Sequence, residues 1–339
     1  MPLPIRHLGA LGPAVPAVGL GLMSLSAAYG SAGDDEARFA LLDRACDLGA
    51  TFWDTADVYG DSEDLVGRWF ARTGRRDEIF LATKFGNVVD PATGQRSVRS
   101  DAAYVREACE KSLGRLGIAT IDLYYMHRTD GITPIETTVE AMLELQKEGK
   151  ITHLGLSEVS ARTLHRACAR APIAAVQLEY SASTLDIESP ATPLLATARA
   201  LGVAVVAYSP LGRGLLTGRW RSPADFARGD ARPLFPRFAG ENLERNGEVV
   251  EQFVEIARRK GCTPAQLALA WVLAQGEDVL PIPGTKTIAN LEANLAAAHI
   301  RLTPAESAEI RAITQTTAIA GARYPPAFEK GCFADTPEL

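Results

Sequence analysis

Cysteine is scarce in this 339-residue chain, and the five present, Cys46, Cys109, Cys168, Cys262 and Cys332, are widely separated and odd in number. With no C-x-x-C pair and no Cys/His cluster, neither a disulfide framework nor a zinc site is expected. These residues read as reduced, mostly buried thiols of a cytoplasmic protein. Histidine is equally thin: His7, His127, His153, His165 and His299 form no H-E-x-x-H and no close pair, so a metal enzyme is not indicated. No Asn-x-Ser/Thr acceptor occurs, and no apolar run approaches the roughly 18 residues a membrane span needs. A basic tract is missing too. Thirty-five Lys and Arg stand against 41 Asp and Glu, a net charge of −6, which disfavours nucleic acid and anionic membrane as partners. The uncharged stretch from Leu8 to Gly33 imitates a signal peptide poorly, because Pro13, Pro16 and the glycines Gly9, Gly12, Gly19 and Gly21 break any apolar helix. The chain reads as soluble and unprocessed.

What is present is an average globular composition, 47% hydrophobic and 22% charged, sufficient for a large core. The length alone permits two domains or one α/β barrel. Short apolar runs alternate with longer segments of helical period. Eight runs read as strands: Val18 to Met23, Ala50 to Thr55, Ile79 to Lys84, Ile121 to His127, His153 to Ser157, Ala174 to Leu178, Val203 to Ser209 and Val279 to Pro283. Between them, Val105, Ala108, Cys109, Leu113 and Leu116 share one helical face that stops at Gly117. Ile135, Val139, Met142 and Leu143 share another that stops at Gly149. Eight βα units without a linker favour a single-domain (β/α)8 TIM barrel over residues 1–339, with a doubly wound sheet as the runner-up. Residues 219–246, after the seventh strand, read as a loop insert over the barrel mouth. Residues 321–339, with Pro325, Pro326 and Pro337, read as an irregular tail.

Asp54, Tyr59, Lys84 and His127 fall at or just past the ends of predicted strands two, three and four, which a barrel brings to one face. A tyrosine serves as a general acid near neutral pH if an ammonium stabilises its phenolate, and Lys84 supplies that charge. Asp54 is the obvious counter-ion for an interior lysine, and His127 offers a neutral donor to a carbonyl oxygen. Any one of these residues alone is more simply a buried ion pair or a core histidine; four polar groups at neighbouring strand ends call for a common reason. Competing motifs are incomplete: Gly19-x-Gly21 and Gly212-x-Gly214 lack the third glycine of a dinucleotide fingerprint, and Gly155-x-Ser157 lacks the second glycine of a nucleophile elbow. Trp53 and Trp69 are expected to fill the core or line a helix. Tyr29, Trp220, Phe235 and Phe238 are divided between substrate contact and packing.

From Arg6-His7-Leu8-Gly9 to about Asn294 the sequence resembles the aldo-keto reductases. The resemblance is carried by Asp54-Thr55-Ala56 with Tyr59-Gly60, Thr83-Lys84, the run from Lys111-Ser112-Leu113 to Asp122 followed by His127, and Tyr208-Ser209-Pro210-Leu211. Pro236 to Asn246 looks like the microbial, fungal and plant branch that also resembles the potassium-channel β subunits. The resemblance implies an NADP-dependent oxidoreductase that reduces a small-molecule aldehyde or ketone. Tyr59 would be the proton donor, Lys84 and Asp54 its tuning pair, and His127 the group that orients the carbonyl. It further implies NADPH as cofactor. Tyr208 would stack on the nicotinamide, Ser157 and Gln177 would hold its carboxamide, and Ser209, Pro210, Leu211, Gly212, Gly214 and Arg219 would embrace the pyrophosphate. Gly284, Thr285 and Lys286, at a helix start, would take the 2′-phosphate, with Asn290 and Asn294 completing the set. Two positions depart from the commoner family pattern: Glu158 stands where many members carry Asn, and Asn290 where many carry Arg or Gln. A nucleotide-sensing regulatory subunit with slow reductase activity is the alternative. The pocket aromatics, Tyr29, Tyr324, Phe328 and Phe333 among them, suggest an apolar or aromatic carbonyl, and nothing in the chain indicates an oligomeric state.

Overall fold

The computed structural model describes residues 1–10, 12–90 and 92–339. Eight parallel strands follow one another in sequence order: β1 (Leu20–Gly21), β2 (Phe52–Asp54), β3 (Phe80–Phe85), β4 (Ile121–Met126), β5 (Ile151–Ser157), β6 (Ile173–Glu179), β7 (Ala204–Tyr208) and β8 (Val279–Pro281). The sheet curls until its ends meet. Gly21 bridges Gly284, and the amides of Gly19 and Gly21 donate to the carbonyls of Pro281 and Pro283 at 3.0 and 3.2 Å. The result is the single (β/α)8 barrel expected from the alternation.

Helices α1 (Asp35–Asp47), α2 (Ser62–Thr73), α3 (Ala102–Leu116), α4 (Ile135–Lys147), α5 (Ala161–Cys168) and α6 (Leu194–Ala200) follow the first six strands in turn. Helices α7 (Gly240–Lys260) and α8 (Pro264–Leu273) follow β7, and α9 (Ile288–Ala296) and α10 (Pro304–Thr316) follow β8. The Asp101 carboxylate caps α3 by accepting from the Tyr104 amide, and Gly117, at φ +64°, ends it. Because each strand is covered outside by helices and inside by the barrel core, its apolar run is nearly continuous. Phe52, Ala82, Leu123, Tyr125, Ala175, Ala204, Val206 and Leu280 fill the interior. Tyr125 needs the space left by Gly155, where an added Cβ would stand 2.4 Å from its ring. Trp53 and Trp69 are in the outer core, as expected.

The barrel floor is closed by a hairpin that the sequence reading did not foresee, Ile5–His7 antiparallel to Ala14–Pro16. Leu8 and Val15 push into the interior cluster from below. Gly9 makes this approach possible: its φ is +79°, and a Cβ there would stand 2.7 Å from the Gly202 carbonyl oxygen. Most of the uncharged Leu8 to Gly33 stretch is therefore barrel plug, first strand and rim. A second small hairpin, Asn87–Val89 with Arg96–Val98, was also missed.

Four expectations need correction. Strands one and eight are shorter than Val18–Met23 and Val279–Pro283, since Met23–Leu25 turns into a 3-10 helix and Pro281 and Pro283 have no amide to pair. The insert does not run to 246: its short turns at Pro223–Asp225, Arg232–Leu234 and Pro236–Phe238 give way at Gly240 to α7. There Leu243, Val249, Val250, Phe253 and Ile256 form a buried face that the two nearby glycines obscured. Packing claims two of the loop aromatics, because Trp220 and Phe238 join Leu215, Leu243 and Val250 in a separate cluster. Finally, only Cys46 and Cys109 are buried; Cys168, Cys262 and Cys332 are partly exposed because they lie at a helix end, in a turn and in the tail. That tail carries one helical turn, α11 (Pro326–Glu329), and docks beside α5, where the Ser160 amide donates to the Ala334 carbonyl at 2.9 Å.

Candidate active site

Alternation along each strand places Asp54, Lys84, His127, Ser157, Gln177, Glu179 and Tyr208 on the same inward-facing series as the interior core, at the carboxyl ends where the strands open. Lys84 is fully buried. Its Nζ donates to Asp54 Oδ1 at 2.5 Å and to the Thr55 carbonyl at 2.7 Å, and lies 3.5 Å from the Tyr59 hydroxyl. The other Asp54 oxygen accepts from Gln177 Nε2 at 2.7 Å. The Tyr59 ring meets His127 edge-on at 5.8 Å. The four candidates from three strands are thus brought together.

Their protonation follows from this packing. Burial alone would lower the Lys84 pKa, but the Asp54 charge and then Tyr59 hold it above its ordinary value. Burial raises the Tyr59 phenol, with Lys84 pulling it back. His127 is held neutral, far below its ordinary value, first by burial and then by the charges of Arg128 and Lys84; its Nδ1 is buried without a partner. Two residues before Tyr59, burial and then the Glu63 charge push the Asp57 carboxyl up to about 8, and its Oδ1 has no partner. The folded protein therefore keeps that proton from the ordinary value of 3.8 up to about 8, while the unfolded chain loses it, so stability falls as pH rises through this window. An Asp57→Asn variant is expected to show a smaller drop in melting temperature between pH 6 and pH 8.5 than the wild type. An unchanged drop would remove Asp57 as its source.

Around this centre lie the positions marked for a dinucleotide. Ser157 and Gln177 are register neighbours on β5 and β6. Neither is unengaged, since Ser157 Oγ accepts from Arg128 Nη1 at 3.2 Å and Gln177 holds Asp54. Tyr208 closes β7, and beyond it the chain is left-handed at Ser209, Gly212, Arg213 and Gly214. A Cβ on Gly212 or Gly214 would stand 2.9 Å from Ser183 Oγ or 2.6 Å from Trp220 Nε1, so both glycines are needed for this loop to pack against its own neighbours. Arg219 is exposed, with its guanidinium 4.7 Å from the Trp220 ring. Across the mouth, Gly284 and Thr285 lead to the amino end of α9, where Asn290 is exposed and Asn294 is buried. Lys286 is half-buried and already engaged: its Nζ donates to the carbonyls of Tyr29 and Ser31 at 2.5 and 2.6 Å, leaving one of its three protons for another acceptor.

The sequence profile of the aldo/keto reductase family matches residues 17–315. The chain belongs to this family. It is 47% identical over 341 residues to the aldo-keto reductase yakc [NADP(+)] of Schizosaccharomyces pombe, and 50% identical over 344 residues to the aldo-keto reductase str7 of Strobilurus tenacellus. All of this chain and 99% of each relative are covered. Among solved structures, the glycerol dehydrogenase AKR11B4 from Gluconobacter oxydans superposes with a TM-score of 0.82 at 29% identity, over 95% of this chain and 97% of that one. The thermostable aldo-keto reductase Tm1743, in complex with the inhibitor epalrestat, gives 0.73 at 28% identity, over 92% and 100%.

In this aldo/keto reductase Glu158, at the departing position, is engaged within the protein itself. Glu158 is buried at φ +52°, and its carboxylate accepts from the Tyr208 hydroxyl at 2.8 Å, Arg323 Nη2 at 3.0 Å and the Glu179 amide at 3.2 Å. Glu179 in turn pairs with Arg213 at 3.1 Å and Arg323 at 3.6 Å, and the hydroxyls of Tyr208 and Tyr324 are 3.0 Å apart. The tail is therefore tied to the residue that closes β7. Sequence reasoning missed Glu179, Arg323 and the pairing of Arg213; the one available signal was Glu179, a charge at an inward-facing position of the β6 alternation. Replacing Arg323 with leucine strands the Glu158 charge in the interior and is expected to cost about 3 kcal/mol of unfolding free energy in urea. A loss under about 1 kcal/mol would show that the tail does not depend on this pair.

Proposed function

We propose that this aldo/keto reductase uses NADPH to reduce an aldehyde or ketone to an alcohol, with Tyr59 as the proton donor. The observation that carries this reading is the buried Asp54–Lys84 pair set 3.5 Å from the Tyr59 hydroxyl, beside a neutral His127. The NADP(+) in the name of the Schizosaccharomyces pombe relative supports the choice of cofactor. So does the donor set: the left-handed loop after Tyr208, the amino end of α9 and the remaining Lys286 proton.

When bound, the dinucleotide supplies a hydride to the carbonyl carbon. Tyr59 donates a proton to the carbonyl oxygen, and Lys84 stabilises the phenolate left behind. Asp54 keeps Lys84 charged and in place, while the neutral His127 donates a hydrogen bond that positions the oxygen. Tyr208 would stack on the nicotinamide, and Ser157 and Gln177 would hold the carboxamide. Ser209, Pro210, Leu211, Gly212, Gly214 and Arg219 would bind the pyrophosphate; Gly284, Thr285, Lys286, Asn290 and Asn294 would bind the phosphorylated adenosine end.

NADPH oxidation with a panel of aliphatic, aromatic, sugar and pyridoxal-type aldehydes tests the reading, with NADH in parallel. Turnover with NADPH above that with NADH is expected, and no turnover of any carbonyl with either would contradict it. The pH profile adds a second check. Because Tyr59 is raised above its ordinary 10.0, its proton is present throughout neutral pH and is lost only in alkali. Because His127 lies well below 6.5, no acidic limb is expected near that value. A kcat/KM that halves between about pH 7.5 and 6 would contradict the neutral-imidazole assignment.

A further inference from the structure

Arg128, the residue after His127, was not among the candidates read from the sequence. Its Nη1 donates to the His127 carbonyl at 2.7 Å and to Ser157 Oγ at 3.2 Å, which fixes the plane of the guanidinium across the barrel mouth. Nε and Nη2 have no hydrogen-bond partner among the described residues, and the side chain is half-buried at the barrel mouth. That edge is the fork that binds a carboxylate through two parallel N–H···O bonds. The tail passes beside it at Gly331, where an added Cβ would lie in ordinary contact, 3.5 Å from Arg128 Cδ and 3.9 Å from Nε.

The surrounding charges do not neutralise it. Among the described residues, the carboxylates paired with this arginine group, Arg128, Arg213 and Arg323, are Glu158 and Glu179, and both are taken by Arg213 and Arg323. Glu158 acts on Arg128 through space without forming an ion pair. One of the three guanidinium charges is left without a partner. The same charge reaches the reacting groups, because it pulls down both the Tyr59 phenol and the His127 imidazole. Arg128 is therefore within electrostatic range of the point where a carbonyl oxygen would be protonated, and on the side of Ser157 and Tyr208.

We infer that Arg128 is a specificity-determining residue whose free Nε–Nη2 edge receives a carboxylate on the substrate, so that the preferred carbonyl compounds are oxo-acids rather than neutral aldehydes. This rests on the reductase reading above and names its substrate class. The chemistry is unchanged: the acid group is held as the anion, and hydride and proton still go to the carbonyl.

The test compares kcat/KM for 2-, 3- and 4-carboxybenzaldehyde with that for their methyl esters, which keep the ring and the aldehyde but lose the charge. At least one acid is expected to exceed its ester by roughly 10- to 100-fold. In Arg128→Leu that ratio should fall to about one, and Arg128→Lys, which keeps the charge without the fork, should restore only part of it. Benzoate binding to the NADP(+)-loaded enzyme, measured by calorimetry, should weaken by a similar factor in Arg128→Leu. If the wild type reduces the esters as well as or better than every acid, the inference is overturned while the reductase reading stands. If neither acids nor esters are turned over, the inference is overturned, and the reductase reading falls with it only if the wider aldehyde panel is not reduced either. The wild-type comparison decides the matter even if a variant fails to fold.

Discussion

Replacing Tyr59 with phenylalanine is expected to lower kcat by about a thousandfold and to leave the dissociation constant for NADPH within about twofold. The substitution removes one oxygen and almost no volume. Lys84 keeps its bonds to Asp54 and to the Thr55 carbonyl, so the buried pair survives and the fold is expected to hold. What disappears is the group 3.5 Å from the ammonium that gives up a proton. Cofactor fluorescence titration separates the two effects, because the residues assigned to the dinucleotide lie on β5 to β8 and their loops. A variant that reduces aldehydes at the wild-type rate would remove Tyr59 from the chemistry.

Lys84→Met should do more damage, and of two kinds. Turnover is lost with the phenolate's stabilising charge, and the Asp54 carboxylate, almost wholly buried, is left facing the Gln177 amide alone. Stranding one partner of a buried pair costs about 3–5 kcal/mol, whereas replacing both is often near neutral. The double variant Asp54→Asn with Lys84→Met is therefore expected to unfold at a urea concentration closer to the wild type than Lys84→Met alone, yet to remain inactive. Additive destabilisation would show that the two residues do not act as a pair.

Much of this arrangement was legible because barrel strands carry a simple code. Continuous apolar runs located the eight strands, and polar residues interrupting them at one end, Asp54, Lys84 and His127, marked the mouth. Features made by the closing of the chain were not legible. Nothing local says that the hairpin of Ile5–His7 and Ala14–Pro16 plugs the floor, since its apolar residues are few and its partners lie on distant strands. The ties among Glu158, Arg323 and Tyr208 span up to 165 residues. Lys286 was correctly placed at a helix start, but its partners, the carbonyls of Tyr29 and Ser31, belong to main chain that no side-chain pattern reports. Arg128 was hidden by its neighbour: the strand-end histidine drew the eye, and the arginine's role depends on which carboxylates the tail brings with it.

Isotope transfer tests the central claim most directly. NADPH carrying deuterium at both hydrogens of the nicotinamide C4 is incubated with the enzyme and 4-nitrobenzaldehyde, and the alcohol is analysed by proton NMR. Hydride delivery from the cofactor beside Tyr59 predicts one deuterium at the carbinol carbon and a hydroxyl proton from solvent. A product without cofactor-derived deuterium at that carbon would contradict it.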